Sequence, residues 1–257
     1  MSWASRRRTM YGMGVIAFFV VIIGGPLAYW YFSIPATCSD GKRNQGETAV
    51  DRGGPCQALD ERQLSPSAVL WSRSFRVRDG SYTAAAYIQN PNKNAGATKV
   101  AYLFRFYDSR NILIGERTGI TYIMPGGITP IIESAIGTGE RVVAHTYFEL
   151  VEEPDWQRMV NPAAEITIND KTLLNLESAP RIIAQVRNTS VEAMRDIQFV
   201  TVIFDPAGNA FAASKTLLPR LEANAITEII FTWPDAFNIS VGRIEIIPVL
   251  PPRSSSQ

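Results

Sequence analysis

The stretch VLWSRSFRVR, residues 69–78, decides the fold class of this chain, because its odd positions carry apolar side chains with the single exception of Arg73. A period of two is typical of a β-strand that buries one face. Residues 82–88 and 100–106 alternate in the same way, and turn formers such as Asp79-Gly80 stand between such segments. The chain beyond residue 33 is therefore predicted to be β throughout, apart from a short helix expected at residues 154–159.

The strand pattern occurs twice along the chain. Three segments recur in the same order at a displacement of 97 or 98 positions: residues 88–92 at 186–190, 106–111 at 203–208, and 128–132 at 226–230. Each copy has room for about seven strands in ~100 residues, the usual size of an immunoglobulin-like sandwich. We predict sandwiches at 64–158 and 162–251, held close by a short linker, and a disordered tail at 252–257.

A motif in the first copy carries a family resemblance. Phe104-Arg105-Phe106-Tyr107-Asp108 resembles the motif of the small family named for F-x-L-Y-D, and the second copy keeps Val202-Ile203-Phe204-Asp205. The resemblance implies β-sandwich domains of bacterial membrane-attached or secreted proteins. The aspartate is expected to open a hairpin turn by accepting hydrogen bonds from the backbone, rather than to act in catalysis.

Residues 10–32, MYGMGVIAFFVVIIGGPLAYWYF, contain no charged side chain and follow Arg6, Arg7 and Arg8. A helix of this length can cross a hydrocarbon core of ~30 Å. The arginines favour a cytoplasmic N-terminus. We expect a cytoplasmic stub at 1–9, an uncleaved signal anchor at 10–32 in contact with membrane lipid, and a membrane-proximal loop at 33–63. The resulting fold class is mostly β: a single N-terminal transmembrane helix followed by two tandem immunoglobulin-like antiparallel β-sandwiches.

A cleaved signal peptide is the competing interpretation of this segment. Its apolar run is longer than the usual 7–15 residues, and Ile34-Pro35-Ala36 is a poor cleavage site. Residues 35–38 match a lipoprotein pattern only weakly. With the anchor uncleaved, the C-terminal domains are expected outside the cytoplasm at the plasma membrane.

The chain has two cysteines, Cys38 and Cys56, which lie 18 positions apart just beyond the apolar segment. In an oxidising compartment they are expected to form a disulfide, with two free thiols as the alternative. The stretch between them is similar to a loop recurring in extracellular proteins, C-x-D-G-x-x-N-x-x-E-T-x-V-D-C-G-G-x-C. The chain departs from that pattern at Arg52, where a cysteine is usual.

Four residues of this loop supply hard oxygen atoms of the kind that calcium prefers. They are Asp40, Asn44, Glu47 and Asp51. The ligand order of an EF-hand is absent and three basic residues lie nearby, so a polar turn that caps its own backbone is favoured over a metal site. No cofactor is expected.

No catalytic site is recognised in the sequence. His145 is the only histidine and lies in a strand-like segment, so a hydrolytic triad is disfavoured. The acidic run from Glu149 to Asp155 is better explained as a solvated edge than as paired carboxylates. The net charge of +1 and the lack of a phosphate-binding loop give no support to nucleic-acid binding.

These observations favour a non-enzymatic membrane protein whose sandwiches bind a protein or an envelope polymer, or serve as a structural spacer. An accessory subunit of a membrane complex, contacting partners through its anchor helix, is the first alternative. An unrecognised envelope hydrolase is the second. The sequence identifies no binding residue.

Overall fold

The computed structural model describes residues 3–33 and 37–255. The candidate cleavage site at residues 34–36 lies outside the described residues. The chain is mostly β, with 51% strand and 13% helix, and its sheets are antiparallel. This confirms the expected fold class. Two compact units are present, Met1–Cys56 and Gln57–Gln257.

The N-terminal unit begins with a long apolar helix. Helix α1 covers Trp3–Phe19, a π-helical turn covers Val20–Gly24, and helix α2 covers Gly25–Ser33. Pro26 has no N–H, and its ring clashes with the carbonyl four residues earlier, so a local widening of the helix is the expected accommodation. The stretch Arg6–Tyr29 is long and apolar enough to cross a membrane, and its length and composition also fit a signal sequence.

The first sandwich is built from seven strands. They are β1 Ala68–Arg78, β2 Ser81–Asn90, β3 Ala95–Tyr107, β4 Leu113–Ile123, β5 Gly127–Gly137, β6 His145–Leu150 and β7 Gln157–Val160. One sheet has the order β1-β2-β5, and in the other β3 pairs with β4, β6 and β7. The core between the sheets holds Phe104, Phe106 and Ile88, which are almost fully buried.

The second sandwich repeats this arrangement. Its strands are β8 Ile166–Leu174, β9 Arg181–Asn188, β10 Met194–Phe204, β11 Ala210–Leu221, β12 Ile226–Thr232 and β13 Arg243–Val249. The sheets have the orders β12-β9-β8 and β11-β10-β13. Strands β8 to β13 start 97 to 100 positions after strands β1 to β6. The two copies therefore have the same strand order.

The two sandwiches pack on each other through sheet faces rather than only through a linker. The outer face of β1-β2-β5 meets the outer face of β11-β10-β13 in an apolar cluster that includes Phe75, Tyr87, Val200 and Val202. The alternation of β1 is explained by this contact. Trp71 and Phe75, on odd positions, bury against the second sandwich, whereas Ser72 and Ser74 lie opposite core residues of the first.

Two expectations from the sequence differ from the structure. Residues 157–159 of the expected helix belong to β7 instead, because this segment pairs with the start of β3 at Ala95 and Gly96. In the expected disordered tail, Arg253–Ser254 forms strand β14, which pairs with the other edge of β7. Residues 256 and 257 lie outside the described residues.

Candidate functional site

A groove runs along β1 where the two sandwiches meet. Two adjoining hollows of about 560 and 320 Å³ share Phe75, Arg76 and Phe211, and we call them together the β1 groove. Its walls are β1 with the following turn (residues 72–79), the start of β6 (143–147), the start of β11 (210–213) and the loop after β12 (233–239).

Two strand edges border the first half of the groove. Among the described strands, β1 pairs with β2 and β6 pairs with β3, so each has a second edge without a ladder partner. Ser72 Oγ donates to the backbone carbonyl of Thr146 at 2.9 Å, which places the two edges beside each other. Unpaired strand edges are suited to accept a further extended chain.

Arginine dominates the charge along the groove. Arg73, Arg76 and Arg78 all lie on β1 and are exposed, against two acids, Asp79 and Asp235. Arg73 Nη1 donates to the carbonyl of Ala210 at 3.2 Å, which holds its guanidinium across the floor. Arg76 forms an ion pair with Asp79. The groove therefore carries a net positive charge.

An aromatic cluster lines the second half of the groove. Phe237 packs edge-on against both Phe211 and Trp233, with ring centroids 5.4 and 5.2 Å away. Trp233 is 8% exposed, and its Nε1 has no hydrogen-bond partner among the described residues. A buried N–H without a partner costs about 1–3 kcal/mol, so Trp233 Nε1 is an unsatisfied donor at this end of the groove.

A disulfide between Cys38 and Cys56 closes the loop between these two residues, with a Cα–Cα distance of 5.5 Å. The Gly-Gly pair of the loop motif has a steric reason. Gly54 adopts a φ of +52°, and a Cβ at this position would lie 2.5 Å from the carbonyl oxygen of Gly46. The expected disulfide between the two cysteines is thus present, and the glycine allows the tight turn beside it.

The four candidate calcium ligands of this loop act as hydrogen-bonding groups. Asp40 accepts from the amide of Asn44 at 2.8 Å, which lowers the pKa of its carboxyl group, and it also accepts from Lys42 N. Asp51 accepts from Gly41 N at 3.0 Å, and Glu47 accepts from Asn44 N at 3.2 Å. These contacts match the expected polar turn.

Among the described residues, the one group of potential metal donors that lies close together is Cys38, Glu47 and Cys56. Both sulfur atoms of that group belong to the disulfide, so neither is a thiolate. The disulfide and the hydrogen bonds of its carboxylates give this loop a structural role.

The aspartate of the F-x-L-Y-D-like motif performs the turn role expected of it. Asp108 Oδ1 accepts from the N–H groups of Arg110 and Ile112, each at 2.9 Å. Asp205 accepts in the same way from Asn209 N at 2.7 Å. The Ile112 and Asn209 N–H groups are the largest causes of a lowered pKa at Asp108 and Asp205, respectively.

His145 begins strand β6 and is exposed on the rim of the β1 groove, as its strand-like surroundings indicated. The hydroxyl group of Ser72, which lines the same groove, donates to the carbonyl of Thr146. Sequence reasoning missed the groove, because residues from four distant segments form it. One signal was available: Arg73 is the single charged residue on the apolar positions of β1.

No family model and no curated protein matches the chain. Among solved structures, it is similar to a Bacteroides uniformis β-glucuronidase (12% identity, TM-score 0.21, covering 62% of this chain and 22% of that one). It is also similar to red sea bream transglutaminase (6%, 0.24, 74% and 32%) and to the CBM22-1–CBM22-2 tandem domain of Paenibacillus barcinonensis Xyn10C (9%, 0.16, 77% and 92%). The chain spans about a fifth of the glucuronidase. TM-scores this low do not establish a shared fold.

Proposed function

We propose that this chain is a non-enzymatic, single-pass membrane protein that holds an extended acidic polypeptide in the β1 groove. The N-terminus is cytoplasmic and the sandwiches lie outside. The observation that carries the proposal is the meeting of two free strand edges, β1 and β6, in a groove whose charged side chains are mostly arginine. Backbone pairing supplies affinity in such sites, and side chains supply selectivity.

The helix and the disulfide support the location. A stretch at Arg6–Tyr29 is able to cross a bilayer, with three arginines at its start. Disulfides persist in oxidising compartments and are rare in the cytosol. Together these features favour a tethered protein whose β-sandwiches work on the outer side of the membrane.

The arginines favour carboxylates on the ligand. Arg73 projects from the face of β1 that packs on the second sandwich and Arg76 from the opposite face, so a chain lying along the edge of β1 has an arginine on either side. Arginine recognises carboxylate groups through paired N–H donors. The half-buried rings of Phe211 and Phe237 supply apolar contact at the far end.

The test uses the full-length protein in nanodiscs of zwitterionic lipid and a fluorescent peptide of alternating Glu and Thr. We expect saturable binding that weakens about tenfold in Arg76→Gln/Arg78→Gln, since each exposed ion pair contributes up to about 1 kcal/mol. Arg117→Gln, an exposed change on β4, is the control and should leave affinity unchanged.

Two further probes decide the mode of binding. The same peptide with alternate backbone amides methylated keeps its carboxylates but cannot complete a ladder, so it should bind far more weakly. Equal binding of the methylated peptide contradicts edge pairing. Tighter binding of oligogalacturonate than of the peptide replaces the ligand class with an anionic glycan, and binding of neither probe overturns the proposal.

A further inference from the structure

The interface between the two sandwiches pairs two different kinds of sheet face. The outer face of β1-β2-β5 supplies Ala85, Tyr87 and Ile132, and the outer face of β11-β10-β13 supplies Val200 and Val202. Tyr87 donates its hydroxyl to Glu245 at 3.2 Å, and Lys215 Nζ donates to the carbonyl of Ile132 at 3.2 Å. The centre of the contact is apolar, and these two hydrogen bonds join the faces.

Because the sandwiches are repeats, each has both kinds of face, and one interface uses only two of the four. Open face 1 is the outer face of β4-β3-β6. Its central residues Leu103, Arg105 and Tyr107 stand 97 positions before Val200, Val202 and Phe204. Open face 2 is the outer face of β8-β9-β12. Its residues Ile183, Gln185 and Ile230 stand 98 positions after Ala85, Tyr87 and Ile132.

Open face 1 combines apolar contacts with an excess of acid. Arg105 Nε bonds Glu116 at 3.1 Å and its Nη1 bonds Glu149 at 2.8 Å. These three side chains together carry a net charge of −1. Tyr107 and Tyr147 form an edge-on pair, 5.4 Å between centroids. Leu103 is half-buried beside them.

Open face 2 has an apolar centre and an excess of base. Ile183 lies opposite Ile230 in the ladder, and Ile226, which is 59% exposed, is on the same face. Two exposed arginines, Arg181 and Arg187, outnumber the single Glu228 on the same face. Three isoleucines on one solvent-facing surface are more than solubility favours.

We propose that full-length chains associate head to tail, open face 1 of one copy seating on open face 2 of the next. The contact repeats the one already made inside the chain. The apolar centres meet, and the net charges of the two faces are opposite in sign. In the internal interface Tyr87 bonds Glu245. In the proposed contact the repeat equivalents of these two residues, Gln185 of one copy and Tyr147 of the next, take the same places and face each other. Since the two faces differ, the contact is heterologous and forms open rows rather than closed dimers.

Mass photometry and sedimentation of the full-length protein in detergent test this assembly. We expect concentration-dependent dimers, trimers and longer rows. Leu103→Lys disables face 1 and Ile230→Lys disables face 2, so each variant alone should remain monomeric, with association at least tenfold weaker. Val191→Lys changes an 87% exposed residue outside both faces and should associate as the unaltered chain does.

Mixing the variants distinguishes a heterologous from a symmetric contact. A Leu103→Lys chain still offers face 2 and an Ile230→Lys chain still offers face 1, so an equimolar mixture should form 1:1 dimers and stop there. Monomers of the unaltered chain at all concentrations overturn the proposal. So does self-association by either variant alone, or loss of association in Val191→Lys.

Discussion

Asn90 and Asn188 are fully buried and make equivalent hydrogen bonds in the two sandwiches. Asn90 Nδ2 donates to the carbonyls of Ala95 and Met124, and Asn188 Nδ2 donates to those of Glu192 and Glu222. Each side chain thereby closes a turn and ties it to the strand opposite. Buried amides of this kind are tolerated because their donors and acceptors are satisfied. The repeat in sequence is thus a repeat of specific turn chemistry.

The paired aspartates give a pH prediction at the scale of single residues. Backbone N–H donors lower the pKa of Asp108 and Asp205 below the usual value. A lowered pKa contributes stability that is fully present above the unfolded-state value, about 3.9, and is lost as the pH falls through the folded-state value. Asp108→Asn/Asp205→Asn should therefore melt at a lower temperature than the unaltered protein at pH 7, and that gap should narrow as the pH falls below about 3.9.

Thermal unfolding followed by circular dichroism at several pH values measures this effect. Glu177→Gln, a change at an exposed loop residue, is the control and should give no gap at any pH. A gap that is the same at pH 7 and pH 3 would show that the ionised carboxylates are not its cause.

At the scale of elements, β1 and the disulfide loop show how context sets the role of a segment. Strand β1 has the alternation expected of an amphipathic strand, but its apolar face covers the neighbouring sandwich. The loop keeps the glycine turn and carboxylate caps of its motif, with one disulfide and with Arg52 where the motif has a further cysteine. In both segments the local pattern is correct, and the partner is set by the surrounding fold.

The disulfide loop provides a test of the topology proposed for the chain. Cys38 is exposed and bonded to Cys56. On intact cells, a membrane-impermeant maleimide should label the protein only after mild reduction, and Cys38→Ser/Cys56→Ser should abolish the signal. Labelling that requires cell lysis would place the sandwiches in the cytoplasm and contradict the proposed location.

At the scale of the whole molecule, a matched pair of substitutions compares a covered face with an open one. Val200 and Leu103 are repeat equivalents, but Val200 is fully buried in the interface and Leu103 is half-buried. A charge placed in an apolar interior costs several kcal/mol. Val200→Lys should lower the free energy of unfolding by about 3 kcal/mol or more, and Leu103→Lys by less than about 1 kcal/mol.

Denaturant titration of the full-length protein measures both changes. Similar losses in the two variants would show that the sandwiches do not bury the face of β10 against each other. The pair also establishes whether Leu103→Lys is folded, which its use in the association experiment requires.

The sequence by itself determined the β class, the apolar helix, the tandem repeat and the turn roles of Asp108 and Asp205, because each depends on residues close together in the chain. Tertiary structure alone decided which faces of the sandwiches meet, the pairing of β14 with β7, and the β1 groove. These depend on segments far apart in sequence, such as Arg73 and Ala210. Local periodicity states that a strand has an apolar face, but not which surface covers that face, because burial is non-directional and any complementary apolar surface satisfies it.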